Sequence, residues 1–175
     1  VLWVPLNDQI DDDYDSAYTY LKAAVGDSTT DGKVRAYLDS AREMIRYVND
    51  KTSVHYNASR EYPDYYQELP RAVPGGRSME PLPFDGALLG DELAHLREPH
   101  PGVTLIGMTA PEANTLATKG RGWLWVTLRT MGRYYLDYPW RLKNKRDRRL
   151  CLGNALIGGL RHSMMVRNIP LWRET

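Results

Sequence analysis

Residues 62–86 read YPDYYQELPRAVPGGRSMEPLPFDG, a stretch with five prolines and three glycines. Proline lacks a backbone N–H and fixes φ, so this density blocks helix and central strand alike. The run is read as a long loop from Leu69 to Gly86, and Met79, Leu82 and Phe84 within it favour an ordered one. Loops of this length in compact domains are functional or disordered. An ordered loop flanked by helical sequence makes the chain mainly helical, with strands as short additions.

Upstream, Asp11 to Asp15 form an acidic entry to a helix carrying Tyr14, Ala17, Tyr18, Leu21, Ala24 and Val25 at helical spacing, with Gly26 as its stop. A second helix starts near Thr30, places Val34, Tyr37, Leu38, Ala41, Ile45 and Val48 on one face, and ends at Asn49-Asp50. Residues 53–66 read as extended chain. Downstream, a short helix is expected over Leu88 to Leu96, an extended piece at Val103 to Met108, and a helical turn or two from Pro111 to Lys119. Trp123 to Tyr138 has the apolar spacing of a longer helix, which Pro139 ends. The basic run Arg141 to Arg149 reads as solvated surface. In the last helix Leu152, Leu156, Leu160 and Met164 repeat every four residues. Ala155 and Gly159 beside them are small enough to admit another backbone. Ile169 to Trp172 then reads as a short strand, half of an α/β unit whose sheet needs further strands.

Composition narrows the class. The 175 residues carry 23 basic and 22 acidic side chains, so no general attraction to nucleic acid is expected. No apolar run approaches the roughly 18 residues of a membrane span. The single Cys151, between Leu150 and Leu152, reads as a buried structural thiol and suits a reducing, cytoplasmic compartment. Apolar sequence at both edges, Val1-Leu2-Trp3-Val4 and Ile169 to Trp172, reads as a segment of a longer chain.

Several chemistries lack their motifs. His55, His95, His100 and His162 have no metal-ligand spacing. There is no G-x-S-x-G elbow around a serine, and Ser78 has no recognisable partner. Neither G-x-G-x-x-G nor G-x-x-x-x-G-K-[ST] occurs; Gly75-Gly76 reads as a turn and Gly158-Gly159 as a close helix contact. Tyrosine is the unusual feature, with 12 against a single phenylalanine. Tyr56, Tyr62, Tyr65 and Tyr66 gather just before the loop. Two readings fit them: a rim of half-buried aromatics, or a site for a flat apolar ligand in which a phenol supplies a hydrogen bond or proton path.

Three stretches together carry a resemblance: residues 62–86 quoted above, RRLCLGNALIGGLRHSMMVRNIPLWRET at 148–175, and VLWVPLN with AYTYLKAAVGD at 1–7 and 17–27. In order and spacing the chain resembles FAD-dependent dehydrogenases of the 3-ketosteroid dehydrogenase type, a group similar to the fumarate reductase flavoproteins. The resemblance implies an α+β, mainly helical segment, with residues 1–145 on the substrate side and 146–175 a helix-strand fragment of the FAD-binding domain. It implies FAD as cofactor, although the family's glycine-rich fingerprint is absent. The implied reaction desaturates a ketone-bearing apolar substrate, steroids among them, by removing the proton α to the carbonyl and passing a hydride to the flavin. Tyr65, in Pro-Asp-Tyr, matches the family tyrosine that supports the catalytic base; Tyr66 takes that place if the alignment slips by one. Gly153, Asn154 and Ala155, at a helix start, are implied neighbours of the flavin. The partners implied are a small apolar substrate and the remainder of a parent flavoprotein, and the isolated chain is expected to be inactive. The competing class is a stand-alone, non-catalytic binding module that keeps a tyrosine-lined pocket.

Overall fold

Asp13 opens the first helix, α1 (Tyr14–Val25), by accepting the Ser16 N–H, and Gly26 closes it at a φ of 54°. The second, α2 (Asp31–Lys51), follows Thr30 and buries Val34, Leu38, Ala41 and Ile45, three to four residues apart. These elements are seen in a computed structural model that describes residues 2–97 and 105–173. The chain is α+β and mainly helical. It divides into two compact units, Val1–Glu80 and Pro81–Thr175. No helix among the described residues is long and apolar enough to cross a membrane.

In the first unit Ala17, Val34 and Leu38 join the two helices, with Trp3, Tyr14, Tyr18 and Leu21 packed around them. Beside them lies a three-stranded sheet of β1 (Leu2–Trp3), β2 (Tyr56–Ala58) and β3 (Ser78–Pro81), in the order β1–β3–β2. The proline-rich run therefore contains the central strand, where sequence reasoning expected loop throughout. The reason is local: Pro81 ends the strand and Pro83 lies beyond it, while Ser78 and Met79 keep their N–H groups and pair antiparallel with Trp3 and Leu2. The Ser59 N–H donates to the Ser78 carbonyl at 2.7 Å from the other side. Gly75 and Gly76 make the approach possible. A Cβ on Gly75 would lie 1.8 Å from the Arg60 carbonyl oxygen, and one on Gly76 would lie 2.5 Å from Ile10 Cγ2.

In the second unit, β4 (Phe84–Asp85) pairs antiparallel with β5 (Arg149–Leu150). A 3₁₀ segment, Gly86–His95, follows β4. Then come α3 (Ala110–Ala117), α4 (Trp123–Leu136), α5 (Tyr138–Arg141) and, after β5, α6 (Leu152–Val166). The core is Phe84, Leu89, Leu93, Leu96, Leu150 and Ala155, with Trp140 and Met165 against it.

Four local expectations change here. Pro139 does not simply end a helix. The helix stops at Leu136, and Pro139 opens the next, α5, where a missing N–H costs nothing. On α6 the buried side is Ala155, Gly158, Gly159 and Ser163, whereas Leu152 and Leu160 are each 38% exposed. A Cβ on Gly158 would lie 3.0 Å from Leu150 Cδ1 and 3.2 Å from Phe84 Cδ1, so small residues bring the helix onto β4 and β5. Residues 105–108 and 169–173 form no strand, because neither finds a ladder partner among the described residues; residues 103–104, where the first piece was expected to begin, and His100 lie outside them. Finally, the basic run is engaged by partners. Arg148 grips Asp85 through two hydrogen bonds of 2.8 and 2.6 Å, and Arg149 pairs with Glu112 at 2.7 Å.

Candidate functional site

The apolar concavity of the first unit is a cleft of about 470 Å³. Helix α1 supplies Tyr20, Leu21, Ala24 and Val25, helix α2 supplies Lys33, Val34 and Tyr37, β1 supplies Trp3, and the tyrosine segment adds Tyr65 and Tyr66. The helical spacing that buries Ala17, Val34 and Leu38 also turns the next positions on each helix towards this cleft. The Trp3 and Tyr37 rings stack with centroids 6.2 Å apart, and Trp3 lies 5.9 Å from Tyr20. The Tyr37 hydroxyl donates to the Trp3 carbonyl. Burial raises the phenol pKa of both Tyr20 and Tyr37, so both stay neutral.

Sequence reasoning singled out Tyr65 and Tyr66, and both line the cleft with much of their rings open, at 75% and 52% exposure. The Tyr62 hydroxyl donates to Tyr65 Oη at 3.2 Å, and their rings meet edge to face. That hydrogen bond, with some burial, raises the Tyr62 pKa and keeps it protonated. Tyr65 accepts from Tyr62 and so has its own proton to offer outward. The Tyr66 N–H is held by Tyr20 Oη at 3.2 Å. Tyr56, the fourth member of the tyrosine group, is instead a buried β2 residue.

Beneath these rings lies a charged group that sequence reasoning missed. Arg77 is fully buried. Its Nε and Nη2 grip both oxygens of Asp12 at 2.8 and 2.7 Å, and its Nη1 donates to Asp64 Oδ2 and to the Arg71 carbonyl, each at 3.0 Å. Asp64 Oδ1 accepts from Trp3 Nε1 at 2.8 Å, and Oδ2 also accepts from the Val73 N–H at 3.0 Å. The guanidinium carbon stands 5.9 Å from the Trp3 ring centroid and 5.8 Å from that of Tyr20. No periodicity marks these residues; a Pro-Asp-Tyr-Tyr at 63–66 followed by a Gly-Gly-Arg at 75–77 is the single local hint.

In the second unit a cleft of about 450 Å³ is lined by Asp85, Asp137 and Asp147 together with Arg133, Arg148 and Arg149. Pro83 and Phe84 complete its lining, and the six charged side chains set it apart from the aromatic cleft of the first unit. The residues implied as flavin neighbours sit at the start of α6. Gly153 is exposed, with nothing within 4 Å of where a Cβ would stand, and Asn154 is half-buried. Both belong to the first turn, whose N–H groups have no acceptor within the helix. This open turn can accommodate a cofactor's polar edge. Ala155 is buried in the core, and its N–H is used by the Cys151 carbonyl at 3.3 Å. Cys151 itself is half-buried, and burial pushes its thiol up to about 11. His162 packs on Phe84, with ring centroids 5.7 Å apart. Among the described residues no three His, Cys, Asp or Glu side chains are grouped to hold a metal ion.

No family model matches the chain. The 3-oxosteroid 1-dehydrogenase of Comamonas testosteroni is 36% identical over 180 residues, covering 98% of this chain and 31% of that protein. A protein of the same name from Mycobacterium tuberculosis (strain ATCC 25618 / H37Rv) is 33% identical over 184 residues, covering 99% of this chain and 31% of its own length. Among solved structures, 3-ketosteroid Δ1-dehydrogenase from Sterolibacterium denitrificans, in complex with 1,4-androstadiene-3,17-dione, is 48% identical with a TM-score of 0.93. That match covers 98% of this chain and 32% of the solved one. The chain thus spans somewhat under a third of the length of the relatives it resembles.

Proposed function

Because this chain belongs to the 3-ketosteroid dehydrogenase family, we propose that it serves as the substrate-side segment of a flavin-dependent dehydrogenase that desaturates a ring beside a ketone. The observation that carries this reading is the near end-to-end match, at a TM-score of 0.93, to a structure holding a steroid dienone. The cleft lined by Trp3, Tyr20, Tyr37, Tyr65 and Tyr66 suits a flat apolar ring system, since its walls are aromatic and aliphatic and its polar groups are few. A 3-ketosteroid is the substrate class proposed, FAD the cofactor, and the cytoplasm the compartment.

In this reading the cleft removes water from one face of the substrate, which strengthens any hydrogen bond made there. Tyr65, fed by the Tyr62 hydroxyl, presents a phenol proton and supports a base supplied by another part of the enzyme. Tyr66 takes this role if Tyr65 does not. A bound flavin supplies the hydride acceptor. Residues 1–145 are assigned to the substrate side and 146–175 to the flavin side, where the Gly153 and Asn154 backbone faces the cofactor and Ala155 packs the turn behind them.

The test is a graft. This chain replaces the matching third of the Sterolibacterium denitrificans enzyme, and bound flavin and turnover of the 1,2-dihydro form of 1,4-androstadiene-3,17-dione are measured. Retained flavin with turnover that falls sharply in Tyr65→Phe is expected. A graft that folds, holds flavin and yet gives no product would instead support the non-catalytic binding module.

A further inference from the structure

Asp64 is the residue immediately before Tyr65, and both of its oxygens face donors. Trp3 Nε1 points at Oδ1, and the Val73 N–H and Arg77 Nη1 point at Oδ2. Its side chain is 1% exposed and that of Asp12 is 5% exposed, with the fully buried Arg77 guanidinium between them. An amide in place of the Asp64 carboxylate would turn an NH₂ towards a donor whichever way it flipped, so the site specifies a carboxylate. The backbone repeats the same connection, because the Asp64 N–H donates to the Val73 carbonyl at 3.1 Å. Gln67 Nε2 adds bonds of 3.0 Å to the Asp64 and Val73 carbonyls. Residues 64–73 are thereby closed into a loop whose base is the buried charge group and whose outer edge is Tyr65 and Tyr66.

We propose that Asp64, clamped by Arg77, is a positioning residue that sets Tyr65 and Tyr66 against the aromatic floor of the cleft. It does so by tying the tyrosine segment to Trp3 through one side chain. The inference rests on the function proposed above. Three features support it over a purely structural role. The same carboxylate bonds the floor of the cleft (Trp3) and the closing end of the tyrosine loop (Val73). The guanidinium that fixes it lies under Trp3 and Tyr20, two rings that line the same cleft as the tyrosines. Tyr65 and Tyr66 also have little packing of their own, being 75% and 52% exposed, so their placement depends on their backbone. A small tilt of that backbone moves a phenol oxygen by a large fraction of an ångström, and misplacement by about 1 Å can cost around a hundredfold in rate.

The test has two arms. In the 175-residue chain labelled with 3-fluorotyrosine, Asp64→Asn is expected to shift and broaden the fluorine signals of Tyr65 and Tyr66 while those of Tyr134 and Tyr135 stay in place. Trp3→Phe, which removes one donor and leaves the ion pairs intact, serves as the second variant should Asp64→Asn fail to fold. Unmoved signals from Tyr65 and Tyr66 in the folded variant would overturn the proposal. In the grafted dehydrogenase, a double-mutant cycle compares Asp64→Asn, Tyr65→Phe and their combination. A positioning residue gives a fall in kcat of about 10- to 100-fold with KM little changed, and adds nothing once Tyr65 has lost its hydroxyl. Multiplicative losses would assign Asp64 to structure alone. Full activity in Tyr65→Phe would instead remove the tyrosine from the reaction and, with it, the purpose of the clamp.

Discussion

Replacing Arg77 by methionine keeps most of the side-chain volume and deletes one buried cation, leaving the Asp12 and Asp64 carboxylates without their shared partner. Arg77 makes four hydrogen bonds, three of them to carboxylates. Summing four charge-assisted bonds at about 1.5–3 kcal/mol each would overstate the loss, since Asp64 keeps Trp3 Nε1 and the Val73 N–H and Asp12 keeps the Leu6 N–H. The better guide is the cost of breaking a buried ion pair by removing one member, about 3–5 kcal/mol. A domain the size of the first unit has about 5–15 kcal/mol in total, and each kcal/mol moves its melting temperature by about 4–8 °C. Arg77→Met should therefore lower the melting of the first unit by at least about 12 °C, at the low end of both ranges. Thermal unfolding followed by far-ultraviolet circular dichroism reads the global loss, and Trp3 fluorescence, with the other tryptophans changed to phenylalanine, assigns it to the first unit. A loss under about 1 kcal/mol would refute the reasoning, because it would mean that water or another cation neutralises the two carboxylates at little cost.

Gly158→Val should destabilise the second unit by about 1–3 kcal/mol through overpacking on Leu150 and Phe84, whereas Gly153→Ala, in open space, should cost much less; equal urea midpoints would contradict the packing described. Cys151, with its thiol near 11, should react with Ellman's reagent at pH 8 at least about 10-fold more slowly than a free cysteine of pKa about 8.5, the smaller thiolate fraction being partly offset by the greater nucleophilicity of a more basic thiolate. For Glu112, burial acts to raise the pKa, but hydrogen bonds from Arg149, the Thr109 N–H and Arg129 outweigh it and hold the carboxyl below its ordinary 4.5. Its contribution is thus present above pH 4.5 and is lost as pH falls through the lower folded value, so acid titration of stability should be shallower in Glu112→Gln than in the parent chain.

Sequence by itself determined the first two helices of this protein. Acidic residues before Tyr14, Gly26 after Val25, and the spacing of Val34, Leu38, Ala41 and Ile45 fix α1 and α2, because helix bonds and caps join residues only a few positions apart. The tyrosine segment was legible for a similar reason, since its composition and its resemblance to the dehydrogenase family both lie in consecutive residues. Tertiary structure alone decided three things. Ser78–Pro81 became a central strand because Leu2–Trp3 and Tyr56–Ala58 arrive on either side of it. The α6 leucine repeat remained half-exposed because Leu150 and Phe84 need the closeness that Ala155 and Gly158 permit. Arg77 became the buried tie beneath the tyrosines because Asp12, 65 positions away, and Trp3, joined to Asp64 across 61, are brought to it by the fold. No local pattern encodes a charge whose partners lie that far along the chain, and burial that makes such a charge costly alone also makes its paired placement specific.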